Sequence, residues 1–368
     1  MIRAYFILPA LLLTVGTIAA PMMASSPALA ADQVSAEKVA ETYAALLESD
    51  YVYPETGKRY AAVLRAGIAA GRYASLTGEA LGQAIDRDVN AVSPDGHLRL
   101  RVPETAAAAG AVAGGAASTP RPPKVPVEQA GWIAPGIAFV RFNVFPMDAD
   151  VTAQAAKFMA DHADAKAIIF DIRTHNGGGL DQMDVIFPWL FDQETRLVTM
   201  ATRASVDARG GSPIAGLPSM RPAEGDAGMV TREHWATPGA DARLRDAKVY
   251  VLTSGASASA AEHFALAMKH TRRGTLVGAP TAGANHFGRG EELGWGYRAF
   301  IPVGRTYDPV SGKDWEGDGV QPDIAVAPAE ALVRVLTKLG VAPDEAKRLS
   351  DAHTPSWPME RRRPRTAR

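Results

Sequence analysis

Apolar positions along this chain change their spacing twice. Over residues 34–90 they fall at helical intervals: Val39, Tyr43, Leu46 and Leu47 share one face, and Leu81, Ala84, Ile85 and Val89 share another, with Thr77 placed to cap that later helix. Short turns between such segments predict a small helical module. Residues 97–102 then alternate one by one, as a half-buried strand does, so the module is expected to end in a strand that carries His97. Residues 103–126, with the run AAAAGAVAGGAAS and Pro120, Pro122, Pro123 and Pro126, have no core-forming pattern and predict a flexible linker or exposed loop. Beyond it, apolar runs of buried-strand length at 137–142, 167–172, 197–201 and 249–253 alternate with helical segments at 151–162, 180–191 and 258–270. That alternation predicts an α/β core with a largely covered sheet.

Composition narrows the class. A chain of 368 residues that is 47% hydrophobic and 21% charged can bury a core in one large or two modest domains, which excludes disorder or a coiled coil as its main state. The net charge is -1, yet Arg361, Arg362, Arg363, Arg365 and Arg368 crowd the last eight residues. The rest is acidic and offers no broad basic face, so nucleic acid is not an expected partner. With no cysteine, disulfides, thiol nucleophiles and thiolate metal sites are all excluded.

The first residues read as an export address. Arg3 is the only charge before Asp32, residues 4–20 are apolar apart from the break at Pro9, and Ala28-Leu29-Ala30 presents small residues where a signal peptidase cuts. The expectation is a signal peptide over 1–30, cleaved after Ala30, and a periplasmic or secreted product without stable membrane insertion. An uncleaved anchor is the alternative. The rest divides into a helical domain at 31–102, the linker at 103–126, a core at 127–345 and a basic tail at 346–368.

Three segments carry residue types that chemistry uses. In FDIRTHNGGGLDQM a buried strand ends at Asp171-Ile172-Arg173, and Gly177-Gly178-Gly179 precede a helix. Such a turn can be a site of positive φ alone, or its N–H groups can face an anion. It lacks the Lys-Ser/Thr ending of a phosphate-binding loop. In VYVLTSGASASAAEHF a strand runs into Ser259-Ala260-Ala261-Glu262 at a helix start. There Ser259 is either an N-cap or a nucleophile whose alkoxide meets the positive end of the helix dipole, with Glu262 a first-turn carboxylate. A serine nucleophile also needs a base. Among the histidines, His97 follows Pro94-Asp95-Gly96 at a turn, His162, His234, His270 and His353 sit in polar surroundings typical of the surface, and His263 points poorly for attack beside Ser259.

Taken together, these segments resemble the tail-specific, or carboxyl-terminal processing, serine peptidase family. Ser259-Ala260-Ala261-Glu262 is similar to its Ser-Ala-x-Glu turn, and Asp171-Ile172-Arg173 with Gly177-Gly178 to its Asp-Leu-Arg strand end and glycine pair. Val277-Gly278-Ala279-Pro280-Thr281-Ala282-Gly283 and Gly319-Val320-Gln321-Pro322-Asp323 follow in the family's order. The resemblance implies a crotonase-like (Clp protease-like) core of mixed sheet and helices behind a small N-terminal helical domain. Where the family's lysine branch places its base, this chain has Ala284, and the linker is too short for a PDZ domain. Asp95-Gly96-His97 and Glu316 instead match the branch of tricorn proteases and interphotoreceptor retinoid-binding protein modules.

That branch implies a triad of Ser259, His97 and Glu316, with an oxyanion hole formed by the Ala260 N–H and that of Gly177 or Gly178. The implied activity is hydrolysis of peptides or unfolded proteins through an acyl-enzyme, without cofactor or metal. Gly96 stands where tricorn proteases carry a serine, so Glu316 reaches His97 directly, through Asp95 or through water. The motif also has His175 and Asn176 where the family commonly has an asparagine two residues before the glycines. Two alternatives stay open: a ligand-binding protein on the same fold, and a serine-lysine peptidase that uses Lys269 or Lys313. A metal-dependent hydrolase is disfavoured because no histidine pair stands at helix spacing with a glutamate. Trp295, Tyr297 and Asn285-His286-Phe287 are expected either to line a substrate cleft or to serve packing.

Overall fold

The apolar runs at 137–142, 167–172 and 249–253 become strands of one six-stranded sheet, whereas the run at 197–201 enters a second sheet. The structure, a computed structural model, describes residues 27–98, 100–103 and 124–360. In sheet order the strands are Ile324–Ala325, Gly274–Gly278, Lys248–Thr253, Ala167–Asp171, Ile137–Phe142 and Val127–Ala134. All neighbours are parallel except the last pair. Continuous apolar sequence is required here because both faces are covered. Ala138, Val140, Ile168, Phe170, Val249 and Val251 pack under the helices Ala149–Asp161 and Ala260–His270. The alternate residues Ile137, Phe139, Ile169, Tyr250 and Leu252 face the helices Ala331–Lys338 and Pro343–Ala352. The boundary expected at 346 therefore falls inside a helix whose Ala346 and Leu349 are buried, and the arginine cluster at 361–368 lies outside the described residues.

A second, antiparallel sheet carries the entrance to the site. Its order is Leu100–Arg101, Tyr297–Tyr307, Thr195–Arg203, Met229–Ala236 and Met220–Ala223, and His286–Gly294 also pairs with Tyr297–Tyr307. The helices Pro27–Asp50, Pro54–Ala69 and Gly78–Val92 do not enclose a core of their own. Val39, Tyr43, Leu47, Leu81 and Ile85 pack with Tyr297, Ala299, Ile301 and Val303 of the hairpin in one cluster. Polar links cross the same junction. Val52 N–H donates to Pro302 O (2.9 Å), Gly78 N–H to the Tyr297 hydroxyl (2.6 Å), and buried Asp50 pairs with Arg209 (2.5 Å) and Arg289 (2.7 Å). The point of cleavage expected after Ala30 lies within the helix that begins at Pro27.

The strand expected to carry His97 is corrected. Only Leu100–Arg101 is strand, paired with Ala299 and Arg298, and His97 lies in the turn before it. Asp95 causes the difference: its Oδ1 accepts the His97 N–H at 2.8 Å and its carbonyl the Leu98 N–H at 3.2 Å, a local turn that competes with strand pairing. Most of the expected linker, residues 104–123, lies outside the described residues.

The Asp171-Ile172-Arg173 strand end is a buried ionic anchor. Asp171 Oδ2 meets Arg141 Nε and Arg173 Nη2, each at 2.8 Å, and Arg173 Nη1 also donates to Pro328 O at 2.7 Å. Burial opposes ionisation of Asp171, but Arg173 and Arg141 outweigh it and hold the carboxyl down at about 2. Replacing it leaves two buried guanidinium groups short of a partner. Asp171→Asn is expected to lower unfolding stability by about 3–5 kcal/mol, measured by urea denaturation.

Candidate active site

Ser259 stands where strand Lys248–Thr253 hands over to helix Ala260–His270, and its backbone is strained. Its φ of 56° and ψ of -116° are neither helical nor the extended geometry of an ordinary N-cap. Strain of this kind persists only where surrounding contacts over-determine it, and it gathers at functional positions. Glu262 supplies those contacts. Its carboxylate is fully buried; Oε2 accepts from the N–H groups of Ser259 (2.8 Å) and Ala284 (2.9 Å), and Oε1 from the Thr281 hydroxyl (2.6 Å) and Gly283 N–H (2.7 Å). Glu262 thus does more than cap its own helix. Burial drives its carboxyl above the ordinary value although all four donors pull the other way.

The glycine turn leans directly on the serine. Gly177 and Gly178 have φ of 115° and 134°; a Cβ on Gly177 would lie 3.0 Å from Ser259 Cβ, and one on Gly178 would meet Phe145 O at 1.9 Å. No other residue type fits this approach. The Gly177 N–H is taken, donating to His175 Nδ1 at 3.1 Å. Phe145 brackets the next residue, its N–H donating to Gly177 O and its O accepting from Gly179 N–H, which leaves Gly178 N–H without a partner among the described residues. Ala260 N–H, at the positive end of its helix, is likewise unpaired. Of the two glycines considered from the sequence, Gly178 is therefore the one with a donor to offer. Beside the turn lies an open hollow of ≈ 680 Å³, lined by Met147, Thr152, Ala156, Asp184 and Val185, where Met147 is 89% exposed.

His97 and Glu316 are brought together with Asp95, one of the links considered from the sequence, and with His286, which the motifs left aside. One donor atom each from Asp95, His97, His286 and Glu316 lies within 4.8 Å of the others. Asp95 is central: Oδ2 is 2.8 Å from His286 Nδ1 and accepts the Tyr51 hydroxyl at 2.8 Å, while Oδ1 is 3.4 Å from His97 Nδ1. Burial raises the Asp95 carboxyl, but hydrogen bonding to His286 and His97 prevails and holds it well below the carboxylate range. Burial lowers His286, and Asp95 more than offsets this, so its imidazole is raised overall. Glu316 Oε2 accepts the Asn285 N–H at 2.7 Å and lies 3.9 Å from His286 Nδ1. Ser259 and the cluster are connected through neighbouring backbone groups. Ala284 and Asn285 are adjacent, the first held by the carboxylate oxygen that holds Ser259 N–H, the second by Glu316.

Other expectations are corrected. His162 and His234 are buried, and His234 bridges Asp184 Oδ1 (2.9 Å) and His263 Nε2 (2.8 Å) inside the core. Tyr297 is packing, buried at the junction with the helices, whereas Trp295 is an exposed turn residue. His286, read from sequence only as a possible cleft residue, is a full member of the cluster; its signal was position alone, next to the third motif. Lys269 is tied to Gln321 O (2.8 Å) and Asp323 (3.0 Å), and Lys313 is exposed, so neither is presented to Ser259 as a base.

Comparison with known proteins agrees with this architecture. Residues 136–326 match the model of peptidase family S41. The fold is similar to that of the photosystem II D1 C-terminal processing protease (17% identity, 86% of this chain and 99% of that chain covered, TM-score 0.54). It is also similar to that of a putative peptidase from Parabacteroides merdae (16%, 85% and 96%, TM-score 0.54) and a lipoprotein from Streptococcus agalactiae (13%, 89% and 99%, TM-score 0.50). At these identities the likeness is one of fold. Sheet, glycine turn and strained serine together define a serine-type peptidase of mixed α/β architecture. The chain belongs to peptidase family S41.

The glycine turn carries a built-in acid sensitivity. Burial, with a smaller contribution from Lys124, depresses the His175 imidazole from 6.5 to about 3, so the folded chain keeps it neutral, with Nδ1 accepting from Gly177. The unfolded chain takes up this proton below pH 6.5, hence the His175 contribution is complete above that value and is lost as pH falls toward 3. Stability should fall across this window by up to about 1.4 kcal/mol per pH unit from this group. His175→Asn, which keeps an acceptor and does not titrate, should flatten part of the slope in urea denaturation series.

Proposed function

We propose that this chain is an exported serine peptidase that cleaves peptides or unfolded proteins through Ser259, His97 and Glu316, with Asp95 as the carboxylate beside the His97 ring. The observation that carries the reading is the strained Ser259 backbone, pressed against Gly177 and tied through Glu262 and the 284–285 peptide to the histidine-carboxylate cluster. An N-cap alone has no need of such geometry. Export rests on the address in residues 1–30, with cleavage after Ala30. Among the described residues no helix is long and apolar enough to cross a membrane.

Each step is assigned to one of these groups. Ser259 Oγ attacks the scissile carbonyl carbon as His97 Nε2 takes its proton. The carbonyl oxygen becomes an oxyanion that accepts from Gly178 N–H and Ala260 N–H, each worth about 3–4 kcal/mol to the transition state. His97 then passes the proton to the departing amine, and water, activated by the same imidazole, hydrolyses the acyl-enzyme. Asp95 and Glu316 stabilise the transient imidazolium.

A fluorophosphonate probe should label Ser259, and the label should disappear in Ser259→Ala and His97→Ala. Both variants should lower kcat/KM for an unfolded protein substrate by roughly 10⁴-fold or more. Lys269→Ala should retain activity within about twofold, as for a substitution remote from the chemistry. An unlabelled serine would favour a ligand-binding protein, and activity that survives His97→Ala but not a lysine substitution would favour the serine-lysine design.

A further inference from the structure

The cluster that serves the serine has a second capacity. We propose that Asp95, His97, His286 and Glu316 form a site for a single zinc-like divalent ion, and that the bound ion silences the peptidase. Two imidazoles and two carboxylates are a borderline donor set that suits zinc; hard ions such as calcium need six or more oxygens. One donor atom from each residue lies within 4.8 Å of the others; His286 Nδ1 is 2.8 Å from Asp95 Oδ2 and 3.9 Å from Glu316 Oε2, and His97 Nδ1 is 3.4 Å from Asp95 Oδ1. Tetrahedral zinc with bonds of about 2.0–2.1 Å sets its ligands about 3.3–3.4 Å apart. The observed spacings lie on either side of that value, within reach of side-chain adjustment.

Two further observations point to an ion. His97 Nδ1 is shut off from solvent and makes no well-formed hydrogen bond among the described residues, with Asp95 Oδ1 standing off at 3.4 Å, which is a cost unless something fills its coordination. The carboxylates, in turn, are aimed before any ion arrives: Tyr51 hydroxyl and His97 N–H hold Asp95, and Asn285 N–H holds Glu316. Glu316 and His97 side chains are 25% and 13% exposed, giving the ion a way in.

Silencing follows from the tautomer. An ion on His97 Nδ1 leaves the ring proton on Nε2, where no lone pair remains to accept the Ser259 proton, and the ion also engages the carboxylates that would stabilise the imidazolium. Binding at His286 Nδ1 requires any proton on that nitrogen to move to Nε2 or to solvent, and no oxidation is involved. The silencing part rests on the catalytic reading above; ion binding does not.

The test is titration of the chelator-treated, signal-free full chain with Co²⁺, followed by its visible absorption, and with Zn²⁺ by calorimetry. One equivalent should bind saturably, Zn²⁺ should displace Co²⁺, and His286→Ala and Glu316→Gln should each weaken binding by about tenfold or more. Circular dichroism and melting check that both variants are folded, and either folded variant suffices. Hydrolysis by the unsubstituted chain should fall in step with Zn²⁺ occupancy and return with chelator. No saturable binding at millimolar Zn²⁺, or binding that folded variants leave unchanged, overturns the site. Stoichiometric binding with full activity overturns the silencing. A chain inactive even when ion-free overturns the catalytic reading, and the Co²⁺ and Zn²⁺ titrations still decide the site.

Discussion

Glu262 accepts four hydrogen bonds in a place from which water is excluded, and those bonds join the start of one helix to a loop some twenty residues further on. A buried carboxylate without such donors would be costly enough to unfold the region, so the loop and the helix must meet if either is to be stable. The strained serine follows from that meeting, because its N–H is one of the four donors. So does the placement of Asn285 and His286, which come directly after the anchored peptide. The loop is fixed from its other side too, where Thr281 exchanges backbone and side-chain bonds with Val320 and Gly283 O accepts from Gly317 N–H, bringing Glu316 alongside.

Two sheets divide the labour. The parallel sheet presents its strand ends, and the segments after Asp171 and Thr253 become the glycine turn and the helix that follows Ser259, the position where open parallel sheets characteristically gather their chemistry. The antiparallel sheet supplies the histidines and carboxylates, since the hairpin holds His286 and the helical module is fastened to that hairpin by a common core. A rigid join between the module and the hairpin is therefore a condition of the site. Were the module an independent domain on a loose tether, Asp95 and His97 would not stay within reach of Glu316.

Asp95 links the parts in a different way. It bends its own backbone into the turn that presents His97, and it occupies the gap between two imidazoles. His175 plays a comparable role under the glycine turn, where neutral Nδ1 takes the N–H that would otherwise compete with Gly178 for an anion.

Period and composition alone determined the parallel sheet, since continuous apolar strands are stable only when both faces are covered, and Ile137–Phe142 was legible to the residue. Motif order identified Ser259, His97, Glu316 and the glycine pair as candidates. The antiparallel strands were largely illegible, because His286–Gly294 is rich in glycine and charge and is held by pairing and by the helices above it rather than by its own pattern. Tertiary structure alone decided that His97 lies in a turn, that Gly177 spends its N–H on His175, and that His286 joins Asp95, His97 and Glu316 in one cluster. Those outcomes depend on hydrogen bonds between segments up to 191 positions apart, which no local spacing encodes.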